Sequence, residues 1–146
     1  MSELIHSDRS IFKIVDLDEA WAFLNVAQGE TLSNKLVRAG RAMNAGVYFV
    51  TQSSGDVSKE SLKNNIGLKF AFRSTDTNEI KQTLEFFGLD SEDENNQKRL
   101  RDLENGQCLM QDLYGRVGVV QIHPVFVELL HAFDTRPPIK SEVDLE

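Results

Sequence analysis

The stretch FKIVDLDEAW, residues 12–21, runs from apolar side chains into the carboxylates Asp16, Asp18 and Glu19. A strand that ends on such acids can offer oxygen ligands to a hard cation and keep a water beside it. In an extended chain Asp16 and Asp18 fall on one face and Glu19 on the other, unless the strand has already ended. A plain structural role is equally open to Asp18-Glu19, because acids at the start of a helix cap it and meet the positive end of its dipole. Further along, Arg38 and Arg41 are three residues apart in a helical pattern and so share a face. By themselves they describe the solvated side of an amphipathic helix. Gln52 and Arg73 close two more strand-like runs.

The elements that must position these residues alternate between the two periodicities. Residues 11–17 predict a buried strand, and 31–44 predict a helix with Leu32, Leu36, Val37 and Met43 near helical spacing, stopped by Gly46. VYFVTQ (47–52) and IGLKFAFR (66–73) have the β-branched, aromatic or alternating character of strands. VSKESLKNN (57–65) predicts a short helix capped by Ser58, and TDTNEIKQTLEFFG (75–88) predicts a longer one with capping residues and a terminal glycine. A helix over 91–104 then leads to a hairpin turning at Tyr114-Gly115-Arg116, a last helix after Pro124 and a polar tail. Strands separated by helices imply parallel crossovers, so the expected class is α/β, a mostly parallel sheet flanked by helices with a C-terminal antiparallel hairpin. In such sheets ligands sit at the carboxyl ends of the strands, where Asp18-Glu19, Thr51-Gln52 and Arg73 should converge.

Composition narrows the classes. A chain of 146 residues has the length of one domain, and 40% hydrophobic with 27% charged residues is the balance of a globular protein. No apolar run approaches the roughly 20 residues that span a bilayer, and the N-terminus lacks signal-peptide character, so the expected location is cytoplasmic. Cys108 is alone, which rules out an internal disulfide, and His6, His123 and His131 are scattered rather than set at zinc-ligand spacing. A net charge of −7 argues against a surface built for nucleic acid. The basic run Lys98, Arg99 and Arg101 follows an acidic one and reads as the solvated face of a helix.

Taken together and in order, DEAW, a helix containing VRAGR, a strand ending VTQS, NNIGLKFAFRSTD, GQCLM and AFDTRPP resemble the C-terminal part of the ATPase domain of VirB/TraC-type conjugation and type IV secretion ATPases. These belong to a P-loop group that includes the FtsK and HerA motors. The resemblance spans roughly residues 11–138 and implies the second half of a RecA-like P-loop domain over 1–138, with a flexible tail over 139–146. It implies that Asp18 holds Mg²⁺ through water, that Glu19 activates the water attacking the γ-phosphate of ATP, and that Gln52 senses that phosphate or positions the water. It also implies that Arg38 and Arg41 reach across a subunit boundary to stabilise phosphoryl charge.

Two positions depart from the family pattern. Asp16 stands where an apolar residue is usual, so the metal ligand is Asp16 or Asp18, with Asp18 the better match to DEAW. No segment matches G-x-x-x-x-G-K-[ST], the phosphate-cradling Walker A loop. The chain is therefore expected to lack ATPase activity and tight nucleotide or Mg²⁺ binding alone, and to need the N-terminal half of its domain as a partner. Without the phosphate-loop strand, the strands at 47–52 and 66–73 must either pair directly or leave open edges, and open edges predict self-association. The complete protein would form a homo-oligomeric ring in contact with secretion-channel components. A HerA- or FtsK-like DNA motor and a non-catalytic module that joins a full-length ATPase are the alternatives.

Overall fold

The computed structural model describes residues 8–24, 28–57 and 64–132. The helix expected over 57–65 falls largely outside them, as do the AFDTRPP segment from Phe133 onward and the tail. The chain runs β1 (Lys13–Leu17), α1 (Ala20–Leu24), α2 (Gly29–Ala42), β2 (Ala45–Phe49), a 3₁₀ turn (Ser54–Val57), β3 (Lys69–Ala71), α3 (Thr77–Phe87), α4 (Glu94–Arg101), β4 (Gln107–Gln111), β5 (Val117–Gln121) and α5 (Val127–Ala132). The fold is mixed α/β.

β1 and β2 pair in parallel, with Lys13 opposite Ala45 and Leu17 opposite Phe49. The expected crossover is therefore present. α2 covers one face of this pair, and Gly40 makes its close approach possible: a Cβ there would lie 2.8 Å from the Ala45 carbonyl oxygen. The other face, carrying Ile14, Asp16, Tyr48 and Val50, is exposed, so β1 is half-buried on one side and open on the other, short of the buried strand expected. Asn44, at φ 53°, rather than Gly46, turns the chain out of α2. Asparagine tolerates this left-handed conformation, which frees Gly46 to enter β2 and starts that strand two residues earlier than expected.

The remaining strands correct the expectation of a mostly parallel sheet. β3 shortens to three residues and pairs antiparallel with β4, which pairs antiparallel with β5, in a sheet separate from β1-β2. The two helices α3 and α4 between β3 and β4 permit this return, but backbone hydrogen bonds carry no side-chain label and do not by themselves choose a strand's partner. One helix carries the chain back to start a parallel strand, whereas two in succession bring it back beside the end of β3. β2 and β3 do not pair, and among the described residues each leaves an open edge.

Local chemistry explains the best-formed helix. The Asp76 carboxylate accepts from Glu79 N–H at 2.9 Å to cap α3, and Gly88, at φ 74°, closes its other end. Ile80, Leu84, Phe86 and Phe87 of α3 pack with Leu100, Leu103 and Leu109, and Ala20 and Leu24 of α1 join the same core. Leu17 and Phe49 pack against it, so α1 and the ends of β1 and β2 are fastened to the helices over the antiparallel sheet. Cys108 is fully buried, and burial pushes its thiol above the ordinary range. Among the described residues no helix is long and apolar enough to cross a membrane.

Candidate functional site

The parallel register brings the carboxyl ends of β1 and β2 side by side. Beyond the last paired residues, Val50 N–H donates to the Leu17 carbonyl at 3.0 Å, and Ala20 N–H donates to the Val50 carbonyl at 2.8 Å. These bonds hold the Asp18-Glu19 turn against the segment leading to Gln52. Asp18, Glu19 and Gln52 are all exposed at this edge. Asp16 is exposed too, but on the open face of the strand opposite Tyr48, before the turn.

The turn has a distinctive backbone. Glu19 adopts φ 50°, a left-handed conformation that a residue with a long side chain rarely takes. The Asp18 carboxylate accepts from Glu19 N–H at 2.9 Å, and the Glu19 carbonyl accepts from Ala22 N–H at 3.0 Å. The chain thus passes from β1 into α1 within two residues, leaving both carboxylates at the rim. Strained backbone of this kind concentrates at functional sites.

On the other side of the edge, Thr51, Ser53 and Ser54 fold the segment after β2 into a tight loop. Ser53 N–H donates to Thr51 Oγ1, and Thr51 Oγ1 donates to the Ser53 carbonyl at 3.2 Å. The Glu79 carboxylate accepts from Ser53 Oγ at 3.0 Å, from Ser54 N–H at 2.7 Å and from Ser54 Oγ at 3.0 Å. Thr83 Oγ1 donates to Ser54 Oγ at 3.1 Å. Glu79 lies in the first turn of α3, shortly after β3, so the segment following β3 is joined to the same edge. Arg73 in that segment is exposed. Sequence reasoning missed Glu79 because D-x-x-E at a helix start reads as a local capping pattern.

Arg38 and Arg41 are both on α2. In a crossover the helix runs against the strands, and here Lys13 at the start of β1 donates through Nζ to the Met43 carbonyl and through N–H to the Asn44 carbonyl. The C-terminal end of α2 therefore sits at the amino ends of the strands. Arg38, nine positions after Gly29, is about 14 Å along the helix from its start, at ~1.5 Å per residue. It is exposed, and Arg41 follows one turn later. Arg38 is thus set back along α2 from the helix start. The basic run on α4 borders a shallow depression of about 480 Å³ lined by Asp93, Asn95, Lys98, Arg99 and Asp102, a mixed-charge helix surface as expected.

A family model for an AAA-like domain matches residues 1–133. The chain belongs to the AAA-like domain family. This places it with ATPase-type, P-loop proteins. It is 34% identical over 119 residues to the uncharacterized protein YddE of Bacillus subtilis (strain 168), an alignment covering 82% of this chain and 14% of that protein. The chain therefore spans about one-seventh of the length of that relative.

Proposed function

We propose that this chain is the Walker B, sensor and arginine-bearing part of an ATP-hydrolysing motor of the conjugative transfer or type IV secretion kind. The observation that carries the proposal is the shared edge at which Asp18, Glu19 and Gln52 follow two parallel strands, the place where α/β sheets bind their ligands. Asp18 would hold Mg²⁺ through water. Its carboxylate is a hard oxygen donor, and a single carboxylate suits an ion that takes its other ligands from water and phosphate. Mg²⁺, when bound, would neutralise the β- and γ-phosphate oxygens of ATP. Glu19 would take the proton of the attacking water, and Gln52 would orient that water or sense the γ-phosphate.

The phosphate cradle would come from the N-terminal half of the domain. The open edges of β2 and β3 offer a place for its strand. The exposed apolar residues Phe12, Ile14, Tyr48 and Val50 offer a face for its helices. Arg38 and Arg41, on α2, would serve the site of a neighbouring subunit in a ring. Secretion-channel components would be the partners of that ring. The acidic balance of the chain gives no support to direct nucleic-acid binding by this segment.

Reconstitution tests the reading. Joined to a phosphate-loop half, the chain should show Mg²⁺-dependent ATP hydrolysis that is lost in Glu19→Gln. Alone it should show none. Turnover unaffected by Glu19→Gln would refute the assignment.

A further inference from the structure

We infer that Glu79 is a positioning residue for Gln52, acting through the loop of Thr51, Ser53 and Ser54. The inference rests on the reading of Gln52 as the residue that meets the γ-phosphate or its attacking water.

The geometry departs from what the local sequence would produce. Asp76 and Glu79 stand at the first and fourth places of a capping box, in which the glutamate side chain turns back to the N–H of the capping residue. Here the forward half of the box is made: Asp76 accepts from Glu79 N–H at 2.9 Å. The return half is not. Asp76 N–H donates instead to Ser74 Oγ at 3.3 Å, and the Glu79 carboxylate leaves its own helix for a loop 25 residues upstream.

There it accepts three hydrogen bonds, from Ser53 Oγ, Ser54 N–H and Ser54 Oγ. Bonds to an ionised acceptor are shorter and stronger than neutral ones, and the 2.7 Å contact to Ser54 N–H is of that type. Ser53 Oγ also accepts from Gly55 N–H, and Ser54 Oγ accepts from Thr83, so both hydroxyls are fixed in direction. Gln52 is exposed, but the residue before it is hydrogen-bonded to Ser53 and the two after it are bonded to Glu79. An exposed glutamine has many rotamers, and holding its backbone on both sides removes much of the freedom it would otherwise lose on engaging phosphate. The hydrogen bonds given for the Glu79 carboxylate go to Ser53 and Ser54, on the far side of Gln52 from Thr51.

The test has two parts. In the chain as it stands, Glu79→Ala should speed hydrogen exchange at the Ser54 amide at least about tenfold, while exchange in the core of α3 is unchanged. Glu79→Gln, which keeps an acceptor oxygen, should retain part of the protection. In the ATPase made complete by its phosphate-loop half, Glu79→Ala should lower kcat by about tenfold or more, with KM for ATP little changed. The double variant Gln52→Ala/Glu79→Ala should be no slower than Gln52→Ala, because residues acting as a unit are not additive. Unchanged exchange at Ser54, or losses that multiply in the double variant, would overturn the role of Glu79 while leaving that of Gln52 intact. Full activity in Gln52→Ala would sink the reading of Gln52 and this inference with it, whatever the exchange rates show.

Discussion

Val50 N–H donates to the Leu17 carbonyl at 3.0 Å, one step beyond the last residues that β1 and β2 pair in register. That bond makes two strand ends into one rim. Asp18 and Glu19 leave the sheet immediately after Leu17, and Gln52 lies two residues after Val50. Polar groups that are 33 positions apart along the chain, from Glu19 to Gln52, are thereby delivered to the same edge.

Glu19 bears a backbone cost for its place in the turn. A left-handed conformation costs roughly 1–2 kcal/mol for a residue with a Cβ, while glycine adopts it freely but loses more entropy on folding. Glu19→Gly should therefore raise the stability of the chain by up to about 1 kcal/mol and remove hydrolysis from the completed ATPase. Urea titration and turnover, measured on the same variant, should move in opposite directions.

Arg38 is exposed on α2, about 14 Å along the helix from its start at ~1.5 Å per residue. In the completed ATPase, Arg38→Ala should lower kcat by about 10³-fold or more, as removal of such arginines does. Mixing Arg38→Ala subunits with Glu19→Gln subunits should restore measurable turnover, since a pair of neighbours then holds one intact site. A mixture as inactive as its two components would show that the arginine does not act across a boundary.

Gly40 sets the spacing between α2 and β2. A Cβ at that position would meet the Ala45 carbonyl oxygen at 2.8 Å, a backbone atom that cannot swing aside. Gly40→Ala should cost about 1–3 kcal/mol of stability, the usual penalty of overpacking. The loss is expected as a lower denaturation midpoint, whereas Gly88→Ala should be costly for a different reason, its φ of 74°.

Lys69 is nearly buried, with Nζ donating 2.8 Å to the Phe86 carbonyl at the end of α3 and lying 4.6 Å from the centre of the Phe86 ring. The charge meets both the negative end of a helix dipole and an aromatic face. Lys69→Met keeps the volume and removes the charge. It should destabilise the chain by about 1.5–3 kcal/mol, the worth of a hydrogen bond to a charged group, as read by chemical denaturation.

The Asp112 carboxyl is held below its ordinary range. Burial pushes it up, but hydrogen bonds from Arg116 N–H, the Arg116 guanidinium and Tyr114 N–H, with the charge of Arg116, outweigh that effect. A lowered folded-state value means that this carboxylate supports the hairpin at neutral pH and above its unfolded value near 3.8. The support fades as pH falls through the lower folded value. Chemical shifts of the Tyr114 and Arg116 amides should titrate in that acid range, and in Asp112→Asn the titration should vanish.

Much of this molecule was legible because its signals are local. The periodicity and caps of α3, the turn glycine of the β4-β5 hairpin and the end of β1 at Leu17 depend on residues within a few positions of one another. Asn44 shows the limit even of local reading. Glycine is the commoner helix stop, so Gly46 drew the boundary, yet Asn44 adopts the left-handed turn and Gly46 enters the strand.

By itself the sequence determined the broad order of strands and helices apart from α1, the place of Asp18 and Glu19 just after β1, and membership of the AAA-like domain family over residues 1–133. Tertiary structure alone decided that β3 turns to β4 instead of extending the parallel pair, because backbone hydrogen bonds carry no side-chain label and either partner could satisfy them. It also decided the use of Glu79. Nothing near that residue distinguishes a carboxylate that caps its own helix from one that holds a loop 25 residues away; only packing brings the competing donors within reach.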